Sequence, residues 1–520
     1  MNPVHSQRTR TRRGIIALLI IVLGVPLLLS AIMLVYFWRF PPLNREWVVE
    51  ALEKRYECEV ELKSFTASFF PAVNIAGEGL VLKRQERSGL PPLAVIRKFS
   101  ARGSWLGLLR QPRHFRQVRL EGMVIVVPPR SKQAQAKKTP QVSPFVLDEV
   151  LANDATLRIL SANLNKPPHV FEIHRLRMRS VGLDQPMSFQ VTLTNPIPVG
   201  QIQSSGRFGP WNSEDPSLTA VSGNYSFSNA DLSTIRGLGG TLSSHGSYEG
   251  VLSEIQVHGE TDTPNFDLGI SGNKVHLKTQ FSALVDGVNG DTLLRPVSAQ
   301  LLGSTIVARG GVAQSAGGSG RTILLDVTAQ PAGLEDFLRL AVKSSTPSMT
   351  GVLSIRTKFD LHPGEEEIAK RLKLEGTFTI RSARFTNPET EAKITSLSRH
   401  GQGKPRDEDI QNTPFEAQGH FALANSQVTF SSLSFSLPGA SLQLQGVFGL
   451  LSQTLDFHGT VRLQAKVSQL TSGIKSVLLK PIDPLFAREG AGTVLPIKIT
   501  GTREEPSFQV EIGKALKRED

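Results

Sequence analysis

The sequence predicts a mainly β chain: an N-terminal transmembrane helix followed by an elongated, strand-rich exported body. That body is expected as a curved antiparallel sheet or groove of β-hairpin units with a few short helices. Three observations predict it. From Ile15 to Trp38 run 24 residues without a formal charge, almost all apolar. Beyond Cys58, apolar and polar side chains alternate in short segments punctuated by many of the 45 Gly and 32 Pro. A phrase also recurs, a Gly followed by an alternating run with Tyr, Phe or Leu. The chain has 520 residues, too many for one compact core. Hydrophobic residues are 39% and charged residues 20%, which excludes a polytopic membrane protein and a disordered tail. The one cysteine, Cys58, excludes an intramolecular disulfide and a Cys-based metal cluster within one chain.

The elements follow in order. Residues 1–14 form a basic tail with Arg8, Arg10, Arg12 and Arg13. The run 15–38 suffices as a spanning helix, which needs ~20 apolar residues. Tyr36 and Trp38 sit at its end, where amphipathic rings favour the interface. The denser basic flank is N-terminal, so a single pass with the N-terminus cytoplasmic and the body translocated is expected. A cleaved signal peptide would have an apolar core of only ~7–15 residues and a small-x-small site. Phe37, Trp38 and Arg39 fill that zone instead, which favours a retained anchor.

Residues 39–127 read as an α/β region. Asn44 caps a helix with Trp47, Val48, Ala51 and Leu52 on one face. Val60 and Leu62 then alternate with acids and Lys63, and Val118 to Val127 reads as a strand pair with a bulge or bend at Gly122. Residues 128–144 are Pro-, Lys-, Gln- and Ser-rich, a linker. Residues 145–397 form a β-rich middle region, with strands expected over Ala155–Leu160, Val170–Met178 and Ser188–Leu193. The recurring phrase begins at Gly223, Gly376, Gly419 and Gly446, and each copy reads as a β-hairpin unit. Leu334, Phe337, Leu338 and Ala341 have helical spacing, as do Leu470, Ile474, Val477 and Leu478 behind Ser468. Pro363 to Lys373 reads as a solvated turn of helix, 398–414 as a loop, and 415–520 as a further β region.

No catalytic constellation is present. His169 and His174 are five apart, which on a strand puts them on opposite faces. Gly237, Gly239 and Gly240 lack a βαβ context, and Gly401, Gly403 and Lys404 lack phosphate-loop spacing. Asp286, Asn289 and Asp291 admit a calcium loop, but a Gly/Asn turn explains them more simply. No metal, no cofactor and no enzymatic activity is expected.

The net charge of +12 is concentrated. Between Lys83 and Lys138 stand fourteen Lys/Arg against the two acids Glu86 and Glu121. A nucleic-acid partner is one reading of a basic block, and the anchor argues against it. Arg110, Arg113, Arg116 and Arg119 are the candidates for anionic headgroups, at ~1 kcal/mol per close residue. The alternative is a solvated positive face.

The first ~125 residues resemble the AsmA family of bacterial envelope proteins. The likeness is carried by Asn44–Tyr56, then Val60, Leu62, Phe65, Phe69, Phe70 and Pro71. It continues with Val73-x-Ile75-x-x-x-Gly79-Leu80-x-Leu82, the stretch Phe99 to Leu109, and Val118-x-Leu120-Glu121-Gly122. The C-terminal part is similar to the family's second conserved region through Leu433 to Leu444, Gly446 to Phe457, Leu470 to Leu478, and Ile497-x-Ile499-x-Gly501-Thr502. The resemblance covers about half the chain. It implies a periplasmic β-rich body on an inner-membrane anchor and a role in outer-envelope lipid homeostasis. Larger TamB-like and YhdP-like relatives are thought to carry phospholipid in open grooves.

Val428, Phe430, Leu433, Phe435, Leu437, Leu442 and Leu444 are the candidates for one apolar sheet face, with the turn at Pro438-Gly439 pairing their strands. An uncovered face solvates acyl chains; a covered face makes an ordinary sandwich. Alternation alone fits both. The functional expectation is a non-enzymatic, membrane-anchored protein of outer-envelope biogenesis that handles phospholipid. The alternative is a scaffold that binds envelope-assembly proteins through sheet edges.

Overall fold

The computed structural model describes residues 44–510 apart from 57, 71, 85–90, 110–111, 128–144, 161–167, 183–184, 211, 213–214, 316–319, 345, 405–412, 466–492 and 504. The expected membrane span, the linker, Arg110 and the Leu470–Leu478 helix lie outside the described residues. Among the described residues no helix is long and apolar enough to cross a membrane. The chain divides into two compact units, 1–127 with 144–156, and 128–143 with 157–520.

In the first unit the helix Arg45–Tyr56 begins where expected, because Trp47 N donates to Asn44 Oδ1 at 2.9 Å. Val48, Val49 and Leu52 pack on the buried Cys58, Val60, Leu62 and Leu80. Trp47 turns elsewhere: the Arg113 guanidinium lies 5.2 Å over its ring. Strands β1 (Cys58–Ser68), β2 (Val73–Arg84), β3 (Ala94–Gly103) and β4 (Arg113–Val127) pair antiparallel in sequence order. A short helix, Trp105–Leu109, joins β3 to β4. The expected pair around Gly122 is therefore one bent strand.

That bend belongs to a row. Lys63, Gly79, Arg97 and Gly122 face one another across the four strands, and Gly79 and Gly122 have φ of 67° and 60°. The packed positions change parity there, from Val60 and Leu62 to Phe65 and Ala67 on β1. On β2 they change from Val73 and Ile75 to Leu80 and Leu82. On β2 and β4 the left-handed Gly79 and Gly122 reverse the side-chain alternation, a conformation glycine takes without steric cost. The apolar face thus stays continuous although its sequence spacing slips by one.

The second unit is a long antiparallel meander. Its strands are β6 (His169–Val181), β7 (Met187–Pro196), β8 (Val199–Phe208), β9 (Ala220–Asp231), the two-residue β10 (Leu238–Gly239), β11 (Thr241–Val251) and β12 (Glu254–Leu268). β13 (Val275–Val285), β14 (Thr292–Leu301), β15 (Ser304–Gln314), β16 (Arg321–Gly333), β17 (Met349–Leu361) and β18 (Leu372–Phe385) follow. Last come β19 (Phe415–Ala424), β20 (Gln427–Leu437), β21 (Ala440–Gly449), β22 (Thr454–Leu463), β23 (Thr493–Thr502) and β24 (Pro506–Val510). Each pairs with the next, except that β9 pairs with β11 and β10 borders β12. β5 (Phe145–Ile159) spans the division between the units. Tight turns set the register; Asn425 and Ser426, at φ 51° and 60°, join β19 to β20 as a two-residue hairpin turn.

Two further expectations are corrected. The Gly376 phrase is one continuous strand, β18, rather than a hairpin, because Arg381 and Ser382 form a bulge that lets the strand run on to Phe385. The Gly419 and Gly446 phrases are hairpins, with the glycine inside the first strand. The segment 398–414 is not wholly loop: the helix Pro388–Gly401 reaches into it. Asn387 Oδ1 accepts from Glu389 N and Thr390 N, Pro388 opens the first turn, and Glu389 and Glu391 suit its positive end. The helix Leu334–Ala341 and the four-residue helix Ile368–Arg371 form where the spacing placed them.

Candidate functional site

The pairing register places all seven predicted apolar residues on one face. Leu433 faces Leu444, Phe435 faces Leu442, Leu437 faces Ala440, and Val428 faces Phe448. The three-residue step from Phe430 to Leu433 is absorbed by a bulge at Ser431–Ser432, both exposed, so Phe430 keeps its side. Leu433, Leu437 and Leu444 are buried, while Val428, Phe430, Phe435 and Leu442 are half-buried.

Rings tie neighbouring strands together. Phe378 lies 6.2 Å from both Phe421 and Phe430, Phe430 lies 5.8 Å from Phe457, and Phe415 meets Phe385 at 5.1 Å. The Gly-x-aromatic phrase has a cross-strand cause. A Cβ on Gly446 would come within 2.8 Å of the Phe457 ring, and one on Gly246 within 2.9 Å of Tyr225. The rings lie over glycines of the next strand and cover bare backbone.

The same face continues toward β6 through cross-strand pairs such as Leu325–Phe359, Val257–Ala283, Leu193–Ile202 and Met178–Phe189. Its burial is graded. The largest buried cluster includes Ala329, Leu353, Ile380, Phe415, Leu437 and Leu463, all near the strand ends that carry the two longer helices. Phe337 and Leu338 of one helix, and Ile394 and Leu397 of the other, pack onto it. Polar contacts fix the helices: Ser304 Oγ donates to Asp336 Oδ2 at 2.6 Å, and Ser398 Oγ to the Pro438 carbonyl at 2.7 Å. Away from that rim, strands β8, β11 and β12 alternate exposed with half-buried residues. In a sandwich the inward positions would be buried.

The meander also curls. Arg236, at the helix rim between β9 and β11, donates from Nη1 to the Glu365 carbonyl at 2.8 Å, and Gly237 packs against Ile368. Glu365 and Ile368 lie in the β17–β18 connection at the opposite rim. A flat sheet would hold these points roughly 40 Å apart, six strand spacings of ~4.8 Å across and about ten residues along. Their contact bends the apolar face of β11–β17 inward.

The other face is mostly hydrophilic, with Leu293 and Leu324 exposed on it. One concavity of about 600 Å³ is bordered by Gln418, His420, Ser432, Gln443, Gln445 and His458. Another, about 750 Å³, is bordered by Asn224, His245, His258 and Glu260. His245 Nε2 meets Glu260 at 2.9 Å and His276 Nε2 meets Asp262 at 2.6 Å. Among the described residues no group of three His, Cys, Asp or Glu can hold a metal ion.

In the loop Asp286–Asp291, Asp286 Oδ1 accepts from Val288 N and Asn289 N, and Asp291 Oδ1 accepts from Gln314 N. The Arg321 guanidinium donates to the Asn289 and Gly290 carbonyls and sits 3.5 Å from Asp291. Its charge stands where a cation would.

Of the headgroup candidates, Arg116 and Arg119 are exposed on β4, and Arg113 is engaged with Trp47. Arg119 borders a small concavity with Lys98, Glu78 and Glu121, where the charges balance. Lys83 is paired with Glu61, whose hydrogen bond raises its pKa.

Two hydroxyl relays on the half-buried face escaped the sequence reading. Tyr225 Oη meets Ser244 Oγ at 3.1 Å, and Tyr248 Oη meets Ser204 Oγ at 2.8 Å. Partial burial raises the Tyr248 pKa. The available signal was a Gly-x-Tyr on each of two strands, Gly223-x-Tyr225 and Gly246-x-Tyr248. In comparisons with known proteins, the chain matches no family model, no curated protein and no solved structure.

Proposed function

We propose that this chain is a membrane-anchored, non-enzymatic protein of the bacterial outer envelope that holds phospholipid along the apolar face of its meander. In this reading residues 15–38 anchor it in the inner membrane and the body is periplasmic, in line with the AsmA resemblance. The observation that carries the proposal is the continuous one-sided apolar face of β6–β23, half-buried away from the helix rim. A face of this kind gains from a ligand that covers it. Each acyl CH₂ withdrawn from water contributes ~0.8 kcal/mol, so a dozen contribute roughly 10 kcal/mol before ordering costs. The curl at Arg236 and Glu365 wraps that face around its occupant. Separately, Arg116 and Arg119, exposed on β4 of the first unit, contact anionic headgroups of the membrane itself.

The test is lipid content. Full-length protein is extracted in a mild detergent, exchanged extensively, and its bound phospholipid is counted by mass spectrometry. Co-purifying lipid, displaced when a charge enters the half-buried face, supports the proposal. A lipid-free protein that takes up none from vesicles sinks it.

A further inference from the structure

The face just described is not uniform. Over β17–β23 it is built of Phe, Leu, Ile and Ala. Over β8–β13 the facing positions include Ser204, Gly223, Tyr225, Ser244, Tyr248 and Gly259, none of which carries a charge. The tyrosines lie flat and point in opposite directions. A Cβ on Gly259 would sit 2.5 Å from Tyr225 Oη, and one on Gly223 would sit 2.6 Å from Tyr248 Oη. Each ring therefore reaches across bare backbone, Tyr225 toward β12 and Tyr248 toward β8.

The hydroxyl protons are ordered. Ser244 Oγ donates its single proton to the Glu260 carbonyl at 2.9 Å, and Ser204 Oγ donates its own to the Asn224 carbonyl at 2.9 Å. Each serine can then only accept from its tyrosine. Both tyrosine protons are spent, and each Oη has only lone pairs left for a ligand. The result is two acceptor oxygens beside aromatic faces, with no charged group at these facing positions. Thr261 and Thr279, hydrogen-bonded at 2.6 Å next to Ser244, use one proton on each other and leave one donor on the Tyr225 side.

This chemistry selects a head that brings N–H donors and positive charge. Lone pairs bind the donors, and ring faces attract a cation within ~6 Å. Resting on the reading of this face as a lipid site, we propose that β8–β13 form a subsite for a primary-ammonium head group. An ethanolamine-type phospholipid fits best, its ammonium at Tyr225 or at Tyr248, each a separate acceptor, and its tails running along the Phe- and Leu-rich strands. A trimethylated ammonium lacks the N–H donors, and a glycerol head lacks the cation.

The test offers full-length protein equimolar vesicles of ethanolamine, choline and glycerol phospholipids and reads the ratio bound. The parent should enrich the ethanolamine lipid several-fold. Tyr225→Phe with Tyr248→Phe keeps both rings over their glycines and removes the oxygens. It should erase this several-fold enrichment, with total lipid unchanged. Ser204→Ala with Ser244→Ala keeps rings and oxygens and frees the tyrosine protons to donate. It should move the preference toward the anionic glycerol lipid, a shift that a merely structural role would not give; melting curves confirm that each variant folds. Lipid bound without head-group preference, or a preference unchanged in both pairs of variants, overturns the subsite and leaves the lipid site standing. A parent that binds no lipid overturns both.

Discussion

A charge placed at two depths on one strand distinguishes an open face from a closed core. Phe448 and Leu444 both lie on β21, four residues apart and on the same side. Leu444 is 7% exposed, between Leu433 and Gly459 of the neighbouring strands. Phe448 is half-buried, between Val428 and Leu455. Leu444→Asp removes a buried side chain at ~2–5 kcal/mol and adds an unpaired carboxylate at several more. Against a total stability of ~5–15 kcal/mol, that variant should unfold or melt far lower. Phe448→Asp loses about half the burial of a Phe, roughly 1–1.5 kcal/mol, and its carboxylate keeps water on one side. It should fold, melt slightly lower and bind markedly less lipid. Urea titration with lipid counting on the same samples measures both effects. If Phe448→Asp costs as much stability as Leu444→Asp, the face is covered by protein and the argument for a lipid site fails.

The remaining predictions concern the supports. Asn387→Ala removes the cap of the Pro388–Gly401 helix and should cost about 1 kcal/mol in urea titration. Gly446→Ala drives a Cβ to 2.2 Å from the Asp456 carbonyl and into the Phe457 ring, and should melt well below the parent; Gly303→Ala, with its nearest atom at 3.5 Å, should not. Arg236→Ala removes the rim contact and should speed amide exchange over 365–371 while leaving β20–β22 unchanged. The raised Tyr248 pKa means that the folded state favours the neutral phenol, so this stability is full below pH ~10 and is lost as pH rises through the folded value. Tyr248→Phe should flatten that alkaline loss in a melt series against pH.

Much of the β architecture is legible because a meander needs only local information. Alternation defines the face, and a tight turn defines the next partner, so Pro438-Gly439 was enough to pair β20 with β21. The helix at Leu334 is legible because its apolar residues repeat at helical spacing. The helix Pro388–Gly401 is not, because only Ile394 and Leu397 are apolar on its packed side and its fully buried residues are Thr395, Ser398 and Gly401. Its signal was local: Asn387 as cap, Pro388 in the first turn and two glutamates after it. The curl is illegible for another reason. Arg236 and Glu365 are 129 residues apart, and nothing near either one names the other.

The glycine phrases show how a local pattern carries a non-local meaning. Read along the chain, Gly-x-Tyr and Gly-x-Phe suggest hairpins. Read across the sheet, Tyr225, Tyr248, Phe378 and Phe457 each lie against a glycine of the next strand, since the ring occupies the space of a Cβ. Flat rings leave the face shallow where larger apolar residues would interdigitate and fill it. Two strands so treated, β9 and β11, bring Tyr225 and Tyr248 together with their serines. The phrase therefore does two things at once. Over β18–β22 it joins Phe rings into a greasy floor, and over β8–β12 the same geometry with Tyr in place of Phe sets oxygens into that floor. The substitution changes one atom per ring, which is why hydropathy, dominated by the ring itself, did not distinguish the two segments.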